Sequence, residues 1–141
     1  MIVVAMREEL SFVGETKEPI IVTGEGALNV ISALRNVPRE TPIHNIGCAG
    51  SNSIPIGTRC RIKNVTAYHP VAVFNDRCYT LDGDTDCYTS SDFVTRTDIK
   101  TPCVFDMELA YILAMGFTNV TAEKIVSDNL SKEEFEECLK K

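Results

Sequence analysis

A chain of 141 residues suits one folded domain, residues 1–141, with a single core, and its 44% hydrophobic content excludes a disordered protein. Fourteen Lys and Arg against twenty Asp and Glu leave a net charge of −6, which argues against a nucleic-acid-binding face. No apolar run is long enough to span a bilayer, and Met1-Ile2-Val3-Val4-Ala5 lacks the preceding basic residues of a signal peptide, so a cytoplasmic protein with no membrane partner is expected. The six cysteines show no C-x-x-C spacing, so reduced thiols are expected rather than a disulfide between Cys78 and Cys87.

Ile2–Met6 reads as a first buried strand. Arg7-Glu8-Glu9-Leu10 leaves its carboxyl end; Arg7 and Glu8 read as a solvated turn, and Glu9 is left open. Ile20–Thr23 is a second strand. Gly24-Glu25-Gly26 then leads into a helix from about Ala27 to Val37, whose inward stripe is read as Leu28, Ile31 and Leu34 with Val30 and Val37. A strand, a glycine turn and a helix N-terminus can form an anion site, but Asn29 stands where a dinucleotide fingerprint has a third glycine. Ile43–Ile46 is a third strand. The uncharged run Gly47-Cys48-Ala49-Gly50-Ser51-Asn52-Ser53 after it is read as a pocket wall, with a flexible connector as the alternative.

Thr58–His69 is a long extended run closed by Tyr68-His69-Pro70, and His69 is given no catalytic role. Asp82-Gly83-Asp84 between Cys78–Leu81 and Thr85–Thr89 resembles a hairpin turn. The alternation of Asp82, Asp84 and Asp86 lacks the downstream glutamate of a calcium loop, so calcium is rejected. Phe93, after Ser90-Ser91-Asp92, reads either as core or as an aromatic wall for a planar ligand. In Pro102–Asn129, Asp106-Met107-Glu108 is read as opening a helix whose apolar face is Phe105, Leu109, Ile112, Leu113 and Met115. Gly116 ends that helix, and Val120–Val126 is a strand stopping at Ser127-Asp128-Asn129. Glu108 and Asp128 thus lie at the edges of regular elements, and in open α/β sheets ligands bind outside the carboxyl ends of strands. Ser131 with Glu134 reads as a capping box opening a short charged helix, a lid or an edge.

Taken together, these pieces resemble the purine nucleoside phosphorylase/hydrolase superfamily, and within it the methylthioadenosine/S-adenosylhomocysteine nucleosidase branch. Ala5-Met6-Arg7-Glu8-Glu9 is similar to that family's A-M-x-x-E block, and Thr23-Gly24-Glu25-Gly26-Ala27-Leu28-Asn29 to its S-G-x-G-x-x-N turn. Asn45-Ile46-Gly47-Cys48-Ala49-Gly50 resembles N-T-G-S-A-G, and Ile56-Gly57 with Tyr68-His69 resembles G-D…Y-H. Ser91-Asp92-Phe93-Val94 is similar to S-G-D-x-F-I less one residue, Asp106-Met107-Glu108 to E-M-E, and Val126-Ser127-Asp128 to the S-D block. The matches keep the family's order from end to end.

The resemblance implies an α/β fold: a single domain with a mixed twisted sheet between helices, as in a three-layer sandwich. It also implies roles. Asp128, beside Ser127, would protonate the purine at N7. Glu108 would bind the ribose hydroxyls, and Glu9 would orient and deprotonate the attacking water. Met107 would lie beneath the sugar, Phe93 and Val94 would hold the base, and Ala49 and Gly50 would line the other side. Neither a metal nor an organic cofactor is implied, and a homodimer is expected from the family. Such chemistry needs carboxyl groups: N-ribosyl cleavage passes through an oxocarbenium-like sugar, and the base leaves poorly without a proton.

The chain departs from the family pattern in being short between Glu9 and Pro19 and between Tyr68 and Ser90, and in carrying Cys48 and Ser51 for a serine and a glycine. The leading reading is a purine nucleoside hydrolase. A phosphorylase is the alternative within enzymes, but its relatives place an arginine where Asn45 stands, and no Lys or Arg flanks Gly24–Gly26. A non-catalytic nucleoside-binding domain is the alternative outside them. Convergence of Glu9, Glu108 and Asp128 on one pocket would argue against three unrelated surface carboxylates.

Overall fold

The computed structural model describes residues 1–68 and 78–140. Its centre is β3, Ile43–Ser51, flanked by β1 (Ile2–Val4) and by β8 (Val120–Asp128), both parallel to it. β2 (Ile20–Val22) adds a parallel edge beyond β1. On the other side, β8 pairs antiparallel with β4 (Arg59–Ala67), β4 pairs parallel with β6 (Thr85–Thr89), and β6 pairs parallel with β7 (Cys103–Asp106). β7 returns to β3 at Gly50 and Ser51, so β3, β8, β4, β6 and β7 close into a ring. The ladder between β3 and β8 slips at Ala49/Gly50, where β3 turns from one partner to the other. A bulge of this kind bends a strand and re-aims its side chains.

The mixed twisted α/β sheet is therefore present, curled more tightly than an open sheet. One face is covered by α1 (Gly26–Leu34) and α2 (Leu109–Ala114) over the main core, which includes Val3, Val30, Leu34, Ile62, Val104, Ile112 and Val126. The other face is a smaller cluster of Ile2, Val4, Ile46 and Ile125, covered by Phe12 and Val13. The segment after β1 contains a short 3-10 helix, Arg7–Phe12, and α3 (Lys132–Leu139) lies against β8.

Several boundaries differ from the sequence reading. Asp106 does not open a helix: Cys103–Asp106 is a buried strand carrying Phe105, and α2 begins at Leu109. An apolar triplet ending in Asp satisfies a short buried strand as well as a first helical turn, and pairing with β3 and β6 decides between them. Gly116, at φ 101°, ends α2 as expected of a left-handed C-terminal residue. The run from Gly47 to Ser51 is strand rather than connector. Of the expected inward stripe of α1, Val30 and Leu34 are buried, but Leu28 (77% exposed) and Ile31 face outward, and Ala27 and Ala33 turn inward in their place.

The hairpin around Asp82-Gly83-Asp84 does not form. β5 (Cys78–Thr80) and β6 lie on opposite edges of β4, and the connection crosses it, with Gly83 N–H donating to the Ile62 carbonyl at 3.0 Å. Both Cys78 and Cys87 are free, the second fully buried. His69 and Pro70 lie outside the described residues. Among the described residues, no helix is long and apolar enough to cross a membrane.

Candidate active site

A cavity of about 200 Å³ opens where β1, β3 and β8 end, lined by Glu9, Ala49, Gly50, Phe93, Met107, Glu108, Ser127 and Asp128 among others. A small adjoining recess shares Gly50, Phe93, Met107 and Asp128 and adds Val94. The structure thus brings together all nine residues singled out from the sequence. Each of the three carboxylates is held differently.

Glu9 is buried although Arg7 and Glu8 before it and Leu10 after it are exposed. The 3-10 turn folds it back over β1, where Oε1 accepts from the N–H groups of Ala5 (2.8 Å) and Met6 (2.9 Å). Oε2 accepts from Cys48 N–H at 2.6 Å. Three main-chain donors, two just past the end of β1 and one within β3, fix its orientation. It lies over Gly47, where a Cβ would stand 2.6 Å from Oε2.

Asp128, the last residue of β8, is fully buried. Oδ1 accepts from the Ser127 hydroxyl at 2.7 Å and Oδ2 from Leu130 N–H at 3.0 Å. Leu130 has φ 65°, and this left-handed turn, costly for a residue other than glycine, aims its N–H back at the carboxylate. Burial raises the pKa of Asp128 above the usual carboxylate value, against the hydrogen bonds from Ser127 and Leu130. A Cβ at Gly50 would stand 2.8 Å from Asp128 Oδ2. Two glycines of β3 therefore let two carboxylates lie flat on the strand.

Glu108 precedes α2, but its side chain does not cap the helix. Asp106 does that, accepting from Leu109 N–H at 2.8 Å. Glu108 is left free to reach across to α1, where Oε2 accepts from Gly26 N–H at 3.1 Å. The Gly26 N–H, which such a turn could offer to an anion, is thus taken by a carboxylate of the chain itself. Burial, then the nearby Asp106, push Glu108 up to about 8, while Lys124 and the Gly26 N–H act the other way.

Phe93 from the loop after β6 and Phe135 from α3 meet with ring centroids 5.4 Å apart and wall one side of the cavity. Lys132 and Glu136 of α3 complete that rim, and Met6 and Glu25 lie on the opposite elements. The Ser131 cap forms as read, accepting from Glu134 N–H at 3.2 Å, but the Glu134 carboxylate takes the N–H of Asn129 instead of closing the box on Ser131.

Sequence reasoning missed Asp106 as the helix cap, Phe135 as a wall and Lys124 beneath the site. Lys124 had a readable signal: it alternates with Ala122 and Val126, both of which face the main core. Asn45, the position where phosphorylase relatives carry an arginine, is buried and donates to the Val3 carbonyl at 3.0 Å.

The parallel strands β2-β1-β3-β8, the closed ring beside them and the flanking helices form a fold shared with solved nucleosidases. The MTAN of Chlamydia trachomatis, a methylthioadenosine/S-adenosylhomocysteine nucleosidase, superposes with a TM-score of 0.77 at 16% identity, over 99% of this chain and 86% of its own. The S-adenosylhomocysteine nucleosidase of Streptococcus pyogenes, solved with 5-methylthiotubericidin, gives 0.77 at 17% identity, over 98% and 88%. The futalosine hydrolase of Helicobacter pylori gives 0.74 at 15% identity, over 98% and 89%. No protein-family model and no curated protein matches the chain.

Proposed function

We propose that this chain hydrolyses the N-ribosyl bond of a purine nucleoside, of the methylthioadenosine or S-adenosylhomocysteine kind, with water as the nucleophile. The observation that carries the reading is the convergence of Glu9, Glu108 and Asp128 on one cavity with an aromatic wall. In this reading Phe93 and Val94 hold the base, with Ala49 and Gly50 opposite, and Met107 lies under the sugar. Asp128 gives its proton to N7 as the C1′–N9 bond breaks, so the base leaves neutral. Its desolvated, hydrogen-bonded setting suits an acid that must hold a proton until then. Glu9, fixed by three N–H donors, faces the water that adds to C1′ and accepts its proton. Glu108 accepts from the ribose hydroxyls. General acid–base catalysis of this sort contributes ~10²–10⁴-fold.

Water is favoured over phosphate because the Gly26 N–H at the start of α1, the natural seat for an anion, already serves Glu108. No Lys or Arg flanks Gly24–Gly26 in the sequence, and Asn45 stands where phosphorylase relatives carry an arginine. A second copy of the chain is part of the proposal: Leu28 and Ile31 form an exposed apolar stripe one turn apart on α1, suited to a homodimer contact. The test is a panel of purine nucleosides incubated with the protein, with and without phosphate, followed by chromatography of free base. Base and free ribosyl sugar without phosphate are expected. Ribose 1-phosphate among the products would move the chain to the phosphorylases, and binding without cleavage to the non-catalytic reading.

A further inference from the structure

Lys124 is the one lysine buried among the described residues, and the chemistry above does not use it. Its Nζ lies 3.0 Å from Asp106 Oδ2, with the two side chains 1% and 0% exposed. Its strand neighbours are Gly47 on β3 and Cys60 on β4. Gly47 carries no side chain, and the Glu9 carboxylate occupies the space above it. The ammonium is therefore within electrostatic reach of three carboxylates: Asp106 first, then Glu108 and Glu9.

Asp106 is fully engaged. Oδ1 accepts from the Thr89 hydroxyl and from the Cys87 thiol at 3.3 Å. Oδ2 accepts from Leu109 N–H at 2.8 Å and from Glu108 N–H at 3.4 Å. Thr89 in turn accepts from Ala110 N–H at 3.0 Å. The pair thus joins β6, β7 and β8 to the first turn of α2, where Glu108 sits. A packing role alone would not call for this arrangement. Hydrophobic residues of similar volume fill such a site without the cost of desolvating two charges.

We propose that Lys124 and Asp106 are a positioning pair: their ion pair fixes the first turn of α2 and sets the charge carried by the Glu108 carboxylate, with neither residue touching the reacting atoms. The proposal rests on the reading of Glu108 as the group that holds the sugar. The groups facing Glu108 are Asp106 of β7, Lys124 of β8, Glu9 of the 3-10 turn and the Gly26 N–H of α1. Those facing Lys124 are Asp106, Glu108, Cys87 of β6 and Glu9, and Cys48 of β3 also feels its charge. Asp106 and Lys124 act on Glu108 in opposite senses, so removing each should move it in opposite directions.

Carbon-13 NMR of the side-chain carboxyls in the full chain tests this, with the Glu108 signal assigned by its loss in E108Q. The titration midpoint of Glu108 is expected to rise by about one pH unit or more in K124M and to fall by a similar amount in D106N. K124R should keep the wild-type midpoint. K124M/D106N removes both charges together, so its core is left without an unpaired ion, and its midpoint should lie above that of D106N. With a cleaved nucleoside, the pH profile of kcat/KM should shift in the same order. Midpoints that do not move, or that move the same way in both single variants, overturn the proposal. Should K124M fail to fold, a double variant whose midpoint equals that of D106N overturns it. Failure of the wild type to cleave any nucleoside would sink the functional reading, while the NMR comparison would still decide on the pair.

Discussion

Glu108 stands where burial, a like charge and two opposing groups meet. The proton it holds links folding to pH. Its carboxyl is raised from 4.5 to about 8 in the folded chain, so between those values the folded chain keeps a proton that the unfolded chain has released. The stability this contributes is fully present below about pH 4.5, falls as pH rises through the window, and is gone above about 8. Glu108→Gln keeps the shape and removes the titration. The Tm of the wild type should therefore decline more steeply than that of the variant across this window, as read by calorimetry at a series of pH values; parallel slopes would contradict the assignment. Asp128 was legible in the sequence because it closes an apolar strand; Glu9 was left open by its surroundings and stood out only through the resemblance of Ala5–Glu9 to the A-M-x-x-E block. Lys124 was passed over although the alternation of β8 turns it inward, because a lysine is rarely buried unless paired. Its partner, Asp106, was read as the start of a helix, so the pairing had no visible reason in the sequence alone.

At the scale of elements, the strands β1, β3 and β8 were legible because buried parallel strands read as short apolar runs. What was not legible depended on pairing partners far along the chain. Cys103–Asp106 is a strand because Gly50 and Ser51 of β3 and Asp86–Thr89 offer it two edges. Cys78–Thr80 and Thr85–Thr89 look like a hairpin locally, yet β4 inserts between them. In the stripe of α1, Val30 and Leu34 were read correctly, but Leu28 and Ile31 face outward. An exposed pair of large aliphatic residues on one helix face marks a contact surface when it is part of a wider patch. Sedimentation of the wild type should give twice the 15.6 kDa of one chain, and Leu28→Glu with Ile31→Glu should give the single-chain mass. A wild type that sediments as one chain contradicts the homodimer.

At the scale of the whole molecule, the ring β3-β8-β4-β6-β7 gathers chain segments far apart in sequence onto one cavity. β3 is its hinge point, with Gly47 under Glu9 and Gly50 under Asp128. The 3-10 helix after β1 keeps Glu9 in place through the N–H groups of Ala5, Met6 and Cys48. The order of the short motifs along the chain made this assembly legible; the closure of the ring was not, because it rests on a ladder slip at Ala49/Gly50 that no local pattern encodes. The central claim is that Asp128 protonates the leaving base. Asparagine at 128 keeps the shape and still donates a hydrogen bond, but cannot give up a proton. The most direct measurement compares the wild type with Asp128→Asn on a purine nucleoside and on a nitrophenyl riboside, whose leaving group needs no proton. The account predicts a loss of ~10²–10⁴ in kcat for the purine nucleoside, with a smaller change in KM and a far smaller loss for the nitrophenyl riboside. Equal losses on the two substrates would contradict it.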